Sequence, residues 1–446
     1  MEKLFGTDGI RGEAGKFPLD EETIRIIGSL LALRFAERLG RSARFVIGRD
    51  TRESGEWIEK AFCYGAVSEN AVCESAGVIT TPGVAFLTKH FDFDAGIVIS
   101  ASHNPYQDNG IKVFLPSGKK LDEASERAIE EDIGSRPSAV ISQQYVSAER
   151  STEFQAAYFD HLFGQFPDLR LENFKIVVDC ANGAASDIAP KLFESLGANV
   201  IALNNKPDGR NINADCGSLH LEHLRKKVVD ENADLGVAFD GDADRALFVD
   251  ENGNVVDGDA TLWILAQFLQ DHGKLTNKTV VATVMSNIGL EIALRKRGLT
   301  LLRTSVGDKY VLEELLKTKS EIGGEQSGHI IFPEKSLVGD GMMTTLFLLE
   351  AIFERRIPFS ETVQGFKKYP QTLVNVKVRE KLPFDAVPEI AAAAKQIEHE
   401  LDGGGRLLLR YSGTENLARV MIEGKDQTSI EEQANCLARV IESSLG

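Results

Sequence analysis

The chain has 446 residues, of which 43% are hydrophobic and 26% charged, so it can bury large cores and is not disordered. Its formal net charge of −17 argues against nucleic acid as a partner, because binding to a phosphate backbone needs a basic surface. No apolar run approaches the ~20 residues that a membrane span needs, and the first residues lack a signal-peptide pattern. The five scattered cysteines have no C-x-x-C spacing, which argues against disulfides and zinc. We therefore expect a cytoplasmic protein of several domains without a nucleic acid or membrane partner.

The N-terminal part alternates strands and helices, and its strands end in polar or small-residue loops. Residues 5–12 form a glycine-rich loop around Arg11, and glycines let a backbone approach a ligand closely. Apolar spacing predicts a helix over 20–39. The loop over 48–52 carries two arginines, and such charges are usually ion-paired with neighbouring acidic residues.

A buried strand over 96–99 stops abruptly at small and polar residues. The loop that follows contains Ser102 and His103. Open α/β sheets bind ligands beyond the carboxyl ends of their strands, so a hydroxyl here is placed where a nucleophile would act. Taken alone, such a loop is more often an ordinary polar turn. Lys112, in the hairpin-like segment that comes next, is a candidate general acid or base.

A cluster of three carboxylates follows the strand predicted over 235–239. The cluster consists of Asp240, Asp242 and Asp244. Carboxylates this close repel one another unless a metal ion neutralises them, and oxygen ligands suit a hard cation. A calcium loop of the EF-hand kind is rejected, because Arg245 stands where that loop needs glycine. A rival interpretation is the haloacid-dehalogenase pattern, in which the first aspartate is the nucleophile and Ser102 is incidental.

Two later loops carry side chains suited to a phosphorylated sugar. The first offers a carboxylate, an amide, a hydroxyl and an imidazole for sugar hydroxyls, from Glu325, Gln326, Ser327 and His329. The second combines guanidinium groups, hydroxyls and glycine N–H groups, as a phosphate cradle does. Its residues are Arg410, Ser412, Gly413, Thr414 and Arg419.

These patterns predict an α/β protein of three similar mixed α/β domains plus a smaller C-terminal α+β domain around one central cleft. The irregular polar stretch over 134–150 marks the first boundary, and a change of pattern over 367–370 marks the last. Alternating valines from 374 to 378 indicate a half-exposed strand in the last domain. The predicted domains are 1–150 with the serine loop, 151–255 with the carboxylates, 256–367 for sugar recognition and 368–446 for phosphate binding.

Taken together, the motifs resemble one family over the whole chain, the α-D-phosphohexomutases. The resemblance is carried by residues 102–105, 240–245, 324–329 and 410–414. It implies a covalent phosphate on Ser102, one Mg²⁺ ion held by Ser102 and the three aspartates, and a bisphosphorylated sugar intermediate. It also implies four domains in a heart-shaped arrangement. Catalytic roles are expected for His103, Arg245 and Lys112, with Arg11 and His329 sharing the acid–base work.

Within this family, residues 5–12, the serine-loop form over 99–102 and Gln326 resemble a bacterial branch. That branch interconverts glucosamine 6-phosphate and glucosamine 1-phosphate on the way to UDP-N-acetylglucosamine. The resemblance thus implies an isomerase, an intramolecular phosphotransferase that acts on a phosphorylated hexosamine as a monomer or homodimer. Two alternatives stay open: a phosphoglucomutase or phosphomannomutase of the same family, and a phosphosugar-binding regulator without turnover.

Three positions depart from the family pattern. Asn416 stands where proline is usual, and Tyr411 stands where lysine or proline is common. The phosphate loop is therefore expected to be less rigid than in relatives. Lys309 stands where arginine is usual, which keeps the charge and loses the forked geometry.

Overall fold

The computed structural model describes residues 4–6, 8–133, 148–412 and 415–446, which form four β-sheets with associated helices. The chain divides into two compact units. The first contains Met1–Met285 and Leu302–Gln364, and the second contains Ser286–Leu301 and Gly365–Gly446. Within the described ranges, no helix has both the length and the apolar character that crossing a bilayer requires.

The first unit begins with a seven-stranded mixed sheet of order β1-β2-β6-β5-β3-β4-β7. Strands β3, β4 and β5 run parallel, whereas β6 pairs antiparallel with both β5 and β2. The strands are β1 (Phe5–Gly6), β2 (Gly9–Glu13), β3 (Arg44–Arg49), β4 (Val72–Val78), β5 (Ala95–Ile99), β6 (Asp108–Phe114) and β7 (Ala148–Glu149). The helices of this part are α1 (Glu21–Leu39), α2 (Gly55–Ser68), α3 (Thr81–His90), α4 (Glu123–Ile133) and α5 (Ser151–Gly164). Strand β5 is buried along its whole length, as expected for a strand covered on both faces.

Helix α1 confirms the helix predicted over 20–39 and shows why it starts and ends there. The Asp20 side chain accepts a hydrogen bond from the Thr23 backbone N–H at 3.0 Å, which caps the first turn. Gly40 ends the helix in the left-handed region, with φ of 67°. Helix α2 packs closely on α1, because a Cβ at Gly65 would lie only 1.9 Å from the Arg25 carbonyl oxygen.

The second sheet has the order β12-β11-β10-β8-β9, and β10 pairs parallel with β8 and antiparallel with β11. The strands are β8 (Lys175–Asp179), β9 (Asn199–Leu203), β10 (Leu235–Phe239), β11 (Ala246–Asp250) and β12 (Val255–Val256). Helices α6 (Ile188–Ser195) and α7 (Glu222–Asp230) and a 3₁₀ segment (Gly217–Leu219) accompany it. The loop between β10 and β11 carries the carboxylate cluster, at the carboxyl end of a fully buried strand.

The third sheet has the order β14-β13-β15-β16. Its strands are β13 (Thr279–Thr283), β14 (Thr300–Thr304), β15 (Gly323–Gly324) and β16 (Ile330–Ile331). Helices α8 (Gly258–Asp271), α10 (Asp308–Thr318), α11 (Gly341–Arg355) and α12 (Phe359–Thr362) belong to the first unit, and α9 (Ile288–Lys296) belongs to the second. Strands β15 and β16 pair antiparallel and enclose the loop over 325–329, in which Glu325 N–H donates to the His329 carbonyl at 3.0 Å.

The second unit contains an antiparallel sheet of order β17-β19-β18. Its strands are β17 (Gln371–Lys377), β18 (Arg406–Tyr411) and β19 (Leu417–Glu423), and its further helices are α13 (Pro388–Leu401) and α14 (Gln427–Leu445), with a 3₁₀ segment at Phe384–Ala386. Helix α9 joins this unit through Glu423, a fully buried carboxylate. Glu423 accepts hydrogen bonds from Asn287 Nδ2 at 3.1 Å, Ile288 N–H at 3.2 Å and Arg406 Nε at 2.8 Å.

The predicted fold class is confirmed, since three mixed sheets with helices precede a smaller antiparallel sheet with two long helices. The alternating exposure of β17 also matches the half-exposed strand that the valines predict. The stretch proposed as the first domain boundary lies largely outside the described residues. The three boundaries between the four predicted domains stay predictions.

Candidate active site

Ser102 lies in the loop that follows β5 and is 1% exposed. Its Oγ donates a hydrogen bond to Asp240 Oδ2 at 2.6 Å, and His103 Nδ1 lies 3.4 Å from the same oxygen of Ser102. The hydroxyl and the carboxylate cluster are 138 residues apart in the chain. Both loops leave the carboxyl ends of buried strands, which belong to two different sheets of the first unit.

The three aspartates of the cluster are buried, and one ligand atom of each lies within 4.8 Å of the others. Burial, followed by Asp244 and Asp242, raises the pKa of the Asp240 carboxyl well above its usual range. Asp242 Oδ1 and Asp244 Oδ1 are buried and have no hydrogen-bond partner among the described residues. A group of carboxylates with unsatisfied buried oxygens fits a divalent cation, which would relieve the repulsion that raises this pKa.

Lys112 lies beside the cluster and is fully buried. Its Nζ lies 2.9 Å from Asp242 Oδ2, 3.0 Å from Asp8 Oδ2 and 3.7 Å from Asp244 Oδ2. Burial by itself would lower the pKa of Lys112, but Asp242, Asp8 and Asp244 outweigh it and the pKa is raised. Lys112 is therefore an ammonium ion at neutral pH, able to donate hydrogen bonds and to neutralise charge.

Arg245 connects the cluster to the serine loop. Its backbone N–H donates to Asp240 Oδ1 at 3.2 Å, and its Nη1 lies 3.3 Å from His103 Nδ1. Burial, followed by Arg245 and Arg11, lowers the pKa of His103. Since a guanidinium group only donates, His103 is neutral with an unprotonated Nδ1 that faces Ser102.

His329 is held between protein groups on both sides of its ring. Gly339 N–H donates to Nε2 at 3.2 Å, and Nδ1 lies 3.6 Å from Asp244 Oδ2. Burial would lower the pKa of His329, but Asp244 and Asp308 outweigh it and the pKa is raised. The ring therefore supports Asp244 and borders the cavity described next.

A cavity of about 410 Å³ opens beside the serine and the carboxylates. It brings together six of the residues that the sequence singles out, namely Arg11, His103, Asp244, Arg245, Glu325 and His329. Glu325 Oε1 accepts a hydrogen bond from Gly307 N–H at 3.1 Å, which orients the carboxylate at the cavity wall. The size and the charged lining fit a phosphorylated monosaccharide rather than an apolar ligand.

Gln326 and Ser327 lie in the loop after β15, and their predicted role in substrate binding stays a prediction. Gln326 Nε2 lies 3.4 Å from Asp257 Oδ2, and neither Gln326 nor Ser327 is among the described residues that line the cavity. Asp257 caps the start of α8 by accepting a hydrogen bond from Ala260 N–H, so Gln326 is directed toward a helix end. Glu325 and Gln326, although adjacent in the sequence, therefore face different sides of the loop, which a sequence motif alone does not show.

The structure adds charged residues that the sequence did not single out. Lys120 Nζ lies 2.5 Å from Asp8 Oδ1 and 2.6 Å from Asp308 Oδ2, and Asp8 also pairs with Arg11. Asp8 and Asp308 both line the cavity. Asp8 lies in the glycine-rich loop around Arg11, and Asp308 precedes Lys309, so both are adjacent to residues singled out from the sequence. Lys120, in contrast, belongs to none of the motifs recognised in the sequence.

In the second unit, the phosphate-loop arginines lie side by side. Arg410 and Arg419 are directly opposite each other on β18 and β19, and Arg419 Nη2 lies 3.5 Å from Ser412 Oγ. Burial, followed by Arg419, lowers the pKa of Arg410. Two guanidinium groups held this close to a hydroxyl favour an anion between them. Gly413 and Thr414 lie outside the described residues.

Tyr411 has a packing role in this loop. Its ring stacks on Phe384 with centroids 4.3 Å apart, and its hydroxyl donates to the Leu382 carbonyl at 2.5 Å. The departure at this position therefore replaces a polar or rigid residue by one that anchors the strand to the preceding 3₁₀ segment.

Four family models match the chain in order. They describe the phosphoglucomutase/phosphomannomutase α/β/α domains I, II and III, at residues 2–139, 156–253 and 257–369, and the C-terminal domain of the same proteins at residues 373–440. The chain belongs to the phosphoglucomutase/phosphomannomutase family, which confirms the resemblance seen in its motifs.

Individual relatives and solved structures agree with this assignment. A phosphoglucosamine mutase of Solibacter usitatus is 47% identical over 99% of this chain and 99% of its own length. One of Caldicellulosiruptor saccharolyticus is 48% identical over the full length of both chains. A phosphoglucomutase/phosphomannomutase family protein of Burkholderia thailandensis has a similar fold, with a TM-score of 0.82 at 24% identity over 100% of this chain and 99% of that one. N-acetylphosphoglucosamine mutase of Aspergillus fumigatus gives a TM-score of 0.71 at 18% identity over 99% and 96%.

Proposed function

We propose that this chain is a phosphoglucosamine mutase, which interconverts glucosamine 6-phosphate and glucosamine 1-phosphate through a phosphorylated Ser102 and a bisphosphorylated sugar. Relatives of that name share 44–48% of their residues with it along the whole chain, which supports this substrate. The observation that carries the chemistry is the 2.6 Å hydrogen bond between Ser102 Oγ and Asp240 Oδ2. It places a hydroxyl nucleophile at the edge of a site suited to a divalent cation.

Mg²⁺ is the proposed cofactor, and Asp240, Asp242, Asp244 and the Ser102 oxygen would hold it. The donor set consists of hard oxygen ligands, as Mg²⁺ prefers, and the unpartnered oxygens of Asp242 and Asp244 are available as ligands. When bound, the ion supplies Lewis-acid stabilisation of the negative charge on the phosphoryl group.

In the proposed forward reaction, phosphorylated Ser102 transfers its phosphoryl group to the C1 hydroxyl of glucosamine 6-phosphate. The Oγ–P bond breaks and Ser102 Oγ gains a proton, while a bond from the sugar oxygen to phosphorus forms and the sugar hydroxyl proton passes to a base. The bisphosphorylated sugar then reorients so that its 6-phosphate lies at Ser102. Transfer of that phosphoryl group to Ser102 leaves glucosamine 1-phosphate. The enzyme is thereby restored to its phosphorylated form.

The residues around Ser102 suit distinct parts of this reaction. His103 is neutral, and its Nδ1 lies 3.4 Å from Ser102 Oγ, so it is able to take up the Ser102 hydroxyl proton when the 6-phosphoryl group is transferred to that oxygen. Lys112 is held as an ammonium ion, so it keeps a positive charge beside the carboxylates. Arg245 and Lys112 place two cations at the transfer site, where they stabilise the charge that develops on the equatorial oxygens.

The rival in which Asp240 is the nucleophile is disfavoured by the hydrogen bonds to its carboxylate. Oδ2 accepts from Ser102 Oγ and Oδ1 accepts from Arg245 N–H, so both oxygens already have donors. A carboxylate in this position is better used as a ligand than as an attacking group.

The sugar is proposed to be recognised by Glu325. Its carboxylate lies at the cavity wall and can accept hydrogen bonds from ring hydroxyls in both orientations of the substrate. An amino sugar adds a cation at C2, and a charge-assisted hydrogen bond to a carboxylate is worth about 1.5–3 kcal/mol. We therefore expect kcat/KM for glucosamine 1-phosphate to exceed that for glucose 1-phosphate by roughly tenfold to a hundredfold or more.

Initial rates with the two sugar phosphates, measured by ³¹P NMR on the same enzyme preparation, test this selectivity. Glu325→Gln keeps the size and hydrogen bonding of the side chain and removes its charge, so it should reduce the preference more than the rate with glucose 1-phosphate. Equal or better turnover of glucose 1-phosphate by the wild type would assign the chain to the glucose or mannose branch of the family. The phosphoserine chemistry would be unaffected by that result.

Arg410 is proposed to bind the phosphate group that is not being transferred. Arg410→Ala should raise KM about tenfold to a hundredfold, because a guanidinium–phosphate contact is worth about 1.5–3 kcal/mol. Arg439→Ala, on the exposed face of α14, is the matched control and should leave KM unchanged. Steady-state kinetics on both variants check this, and an unchanged KM in Arg410→Ala would place the phosphate contact elsewhere.

A further inference from the structure

The loop that carries Ser102 is held in an unusual backbone conformation. The φ angle of Ser102 is +53°, in the left-handed region that residues with a Cβ rarely adopt. Such a conformation persists at a functional site only where the surrounding contacts impose it. Here those contacts are made to carbonyl groups of the serine loop.

Two side chains, Arg52 and Asn213, donate to the same pair of carbonyls. Arg52 Nη2 lies 3.2 Å from the Ser102 carbonyl oxygen and 2.6 Å from that of Asn104. Asn213 Nδ2 lies 2.9 Å from the Ser102 carbonyl oxygen and 3.0 Å from that of Asn104. The two carbonyls lie on either side of His103, so four hydrogen bonds fix the peptide groups around both proposed catalytic residues. We call Arg52 and Asn213 the carbonyl clamp.

Both members of the carbonyl clamp are themselves anchored. The side chains of Arg52 and Asp50 are each 0% exposed and form an ion pair, and Asp50 Oδ1 also accepts from Arg52 N–H at 3.0 Å. Asn213 belongs to the loop between β9 and the 3₁₀ segment, and its N–H donates to the Ala181 carbonyl at 2.9 Å. Because these anchors lie in loops of two different sheets, the serine loop is held from two directions.

The carbonyl clamp also determines how the serine loop meets the carboxylate loop. Gly241 lies between Asp240 and Asp242, and a Cβ there would lie 2.5 Å from the Ser102 carbonyl oxygen and 2.9 Å from Asn213 Nδ2. The backbone of the carboxylate loop therefore packs directly on the clamped carbonyl. A shift of that carbonyl would change the distance from Ser102 Oγ to Asp240.

We infer that Arg52 and Asn213 are positioning residues for phosphoryl transfer, which orient Ser102 Oγ by holding the carbonyls of Ser102 and Asn104. The inference rests on the proposed function, since it concerns transfer to and from Ser102. Neither residue is among those that line the cavity, so neither is placed to bind the sugar. A displacement of about 1 Å at a reacting atom costs on the order of a hundredfold in rate, which sets the scale of the expected effect.

Asn213→Ala tests the inference most cleanly, because it removes two hydrogen bonds and no charge. We expect kcat per phosphorylated Ser102 to fall about tenfold to a hundredfold, with KM changed less than about twofold. Asn232→Ala is the matched control and should keep wild-type kcat. Asn213 and Asn232 have φ angles of +57° and +48°, so both substitutions place alanine in the left-handed region. Asn232, however, precedes β10 and lies at the amino end of that strand, whereas the carboxylates follow its carboxyl end.

Arg52→Lys supplies a second, independent variant. It keeps a charge beside Asp50 and loses the planar fork that reaches both carbonyls, so it should also lower kcat with little change in KM. Intact-mass measurement of the phosphate content normalises the rates of all variants. This separates a misplaced nucleophile from a smaller population of folded or phosphorylated enzyme.

Wild-type kcat per phosphorylated site in Asn213→Ala would overturn the inference, and so would an effect confined to KM. If the wild-type protein turns over no hexose phosphate at all, the proposed function fails and the inference fails with it. If the wild type prefers another hexose phosphate, the same comparison is made with that sugar and decides the inference in the same way.

Discussion

Ser102→Ala is expected to lose turnover by on the order of a thousandfold or more, because the step that carries the phosphoryl group has no acceptor without the hydroxyl. The fold should be kept. Ser102 already has a positive φ, and alanine has the same Cβ, so the substitution adds no backbone strain. The variant loses the hydrogen bond that Oγ donates to Asp240 Oδ2. The Thr81 hydroxyl donates to a different carboxylate, Asp242, at 2.6 Å, so it is not expected to substitute.

The reduction in turnover is measured from initial rates of glucosamine 1-phosphate formation, with circular dichroism as the check on folding. Ser117→Ala, in the exposed turn after β6, is the control and should be fully active. Full activity of Ser102→Ala would return the nucleophile to Asp240 and remove the basis of the proposed mechanism.

Asp242→Asn is expected to lower kcat by roughly a hundredfold to a thousandfold at ordinary Mg²⁺ concentration. One of three carboxylate ligands is replaced by a neutral group, and a metal ion contributes several kcal/mol of charge stabilisation to such a reaction. The variant keeps an oxygen that can accept from Thr81 and Lys112, as Asp242 Oδ2 does at 2.6 and 2.9 Å. The defect should therefore be one of ion binding, and high Mg²⁺ or Mn²⁺ should partly restore activity.

Binding of Mn²⁺, followed by electron paramagnetic resonance in the absence of sugar, gives a readout that does not depend on turnover. Asp242→Asn should bind Mn²⁺ at least about tenfold more weakly than the wild type, whereas Asp230→Asn, at the exposed end of α7, should bind it equally well. Normal activity and normal Mn²⁺ affinity in Asp242→Asn would remove this residue from the metal site.

The sequence was sufficient for the parts of the site that follow directly from strand ends. Ser102 and Asp240 could be singled out because each comes just after a buried apolar strand, and the carboxyl ends of such strands gather ligand-binding loops. The start of α1 could be predicted from Asp20, since a capping carboxylate followed by an amphipathic pattern has a local cause. The family followed from the conjunction of four motifs, and the match of four domain models confirms it.

Contacts between distant loops could not be predicted in the same way. Arg52 was expected to pair with a neighbouring acid, and it does pair with Asp50. Arg52 Nη2, however, also donates to the Ser102 carbonyl, 50 residues later in the chain. Asn213 Nδ2 donates to the same carbonyl and is 111 residues away from it. No local pattern records such a contact, because it depends on how two sheets place their loops.

A contact between distant residues also explains why the second compact unit includes a segment from the middle of the chain. A change of pattern near residues 367–370 suggested that a last domain begins there, but the second compact unit also includes Ser286–Leu301. Glu423 accounts for this, since its buried carboxylate accepts from Asn287 and from the first N–H of α9. A single buried acceptor can attach a helix to a sheet strand that lies more than a hundred residues later in the sequence.

The position of the phosphoryl group tests the central claim most directly. The purified chain is digested, and the peptide that contains Ser102 is analysed by mass spectrometry before and after incubation with glucosamine 6-phosphate and Mg²⁺. The proposed function predicts an acid-stable phosphate on Ser102 that exchanges with isotopically labelled phosphate from the sugar. A phosphate on Asp240, which hydroxylamine would remove, or a Ser102 peptide that never exchanges label during turnover, would contradict it.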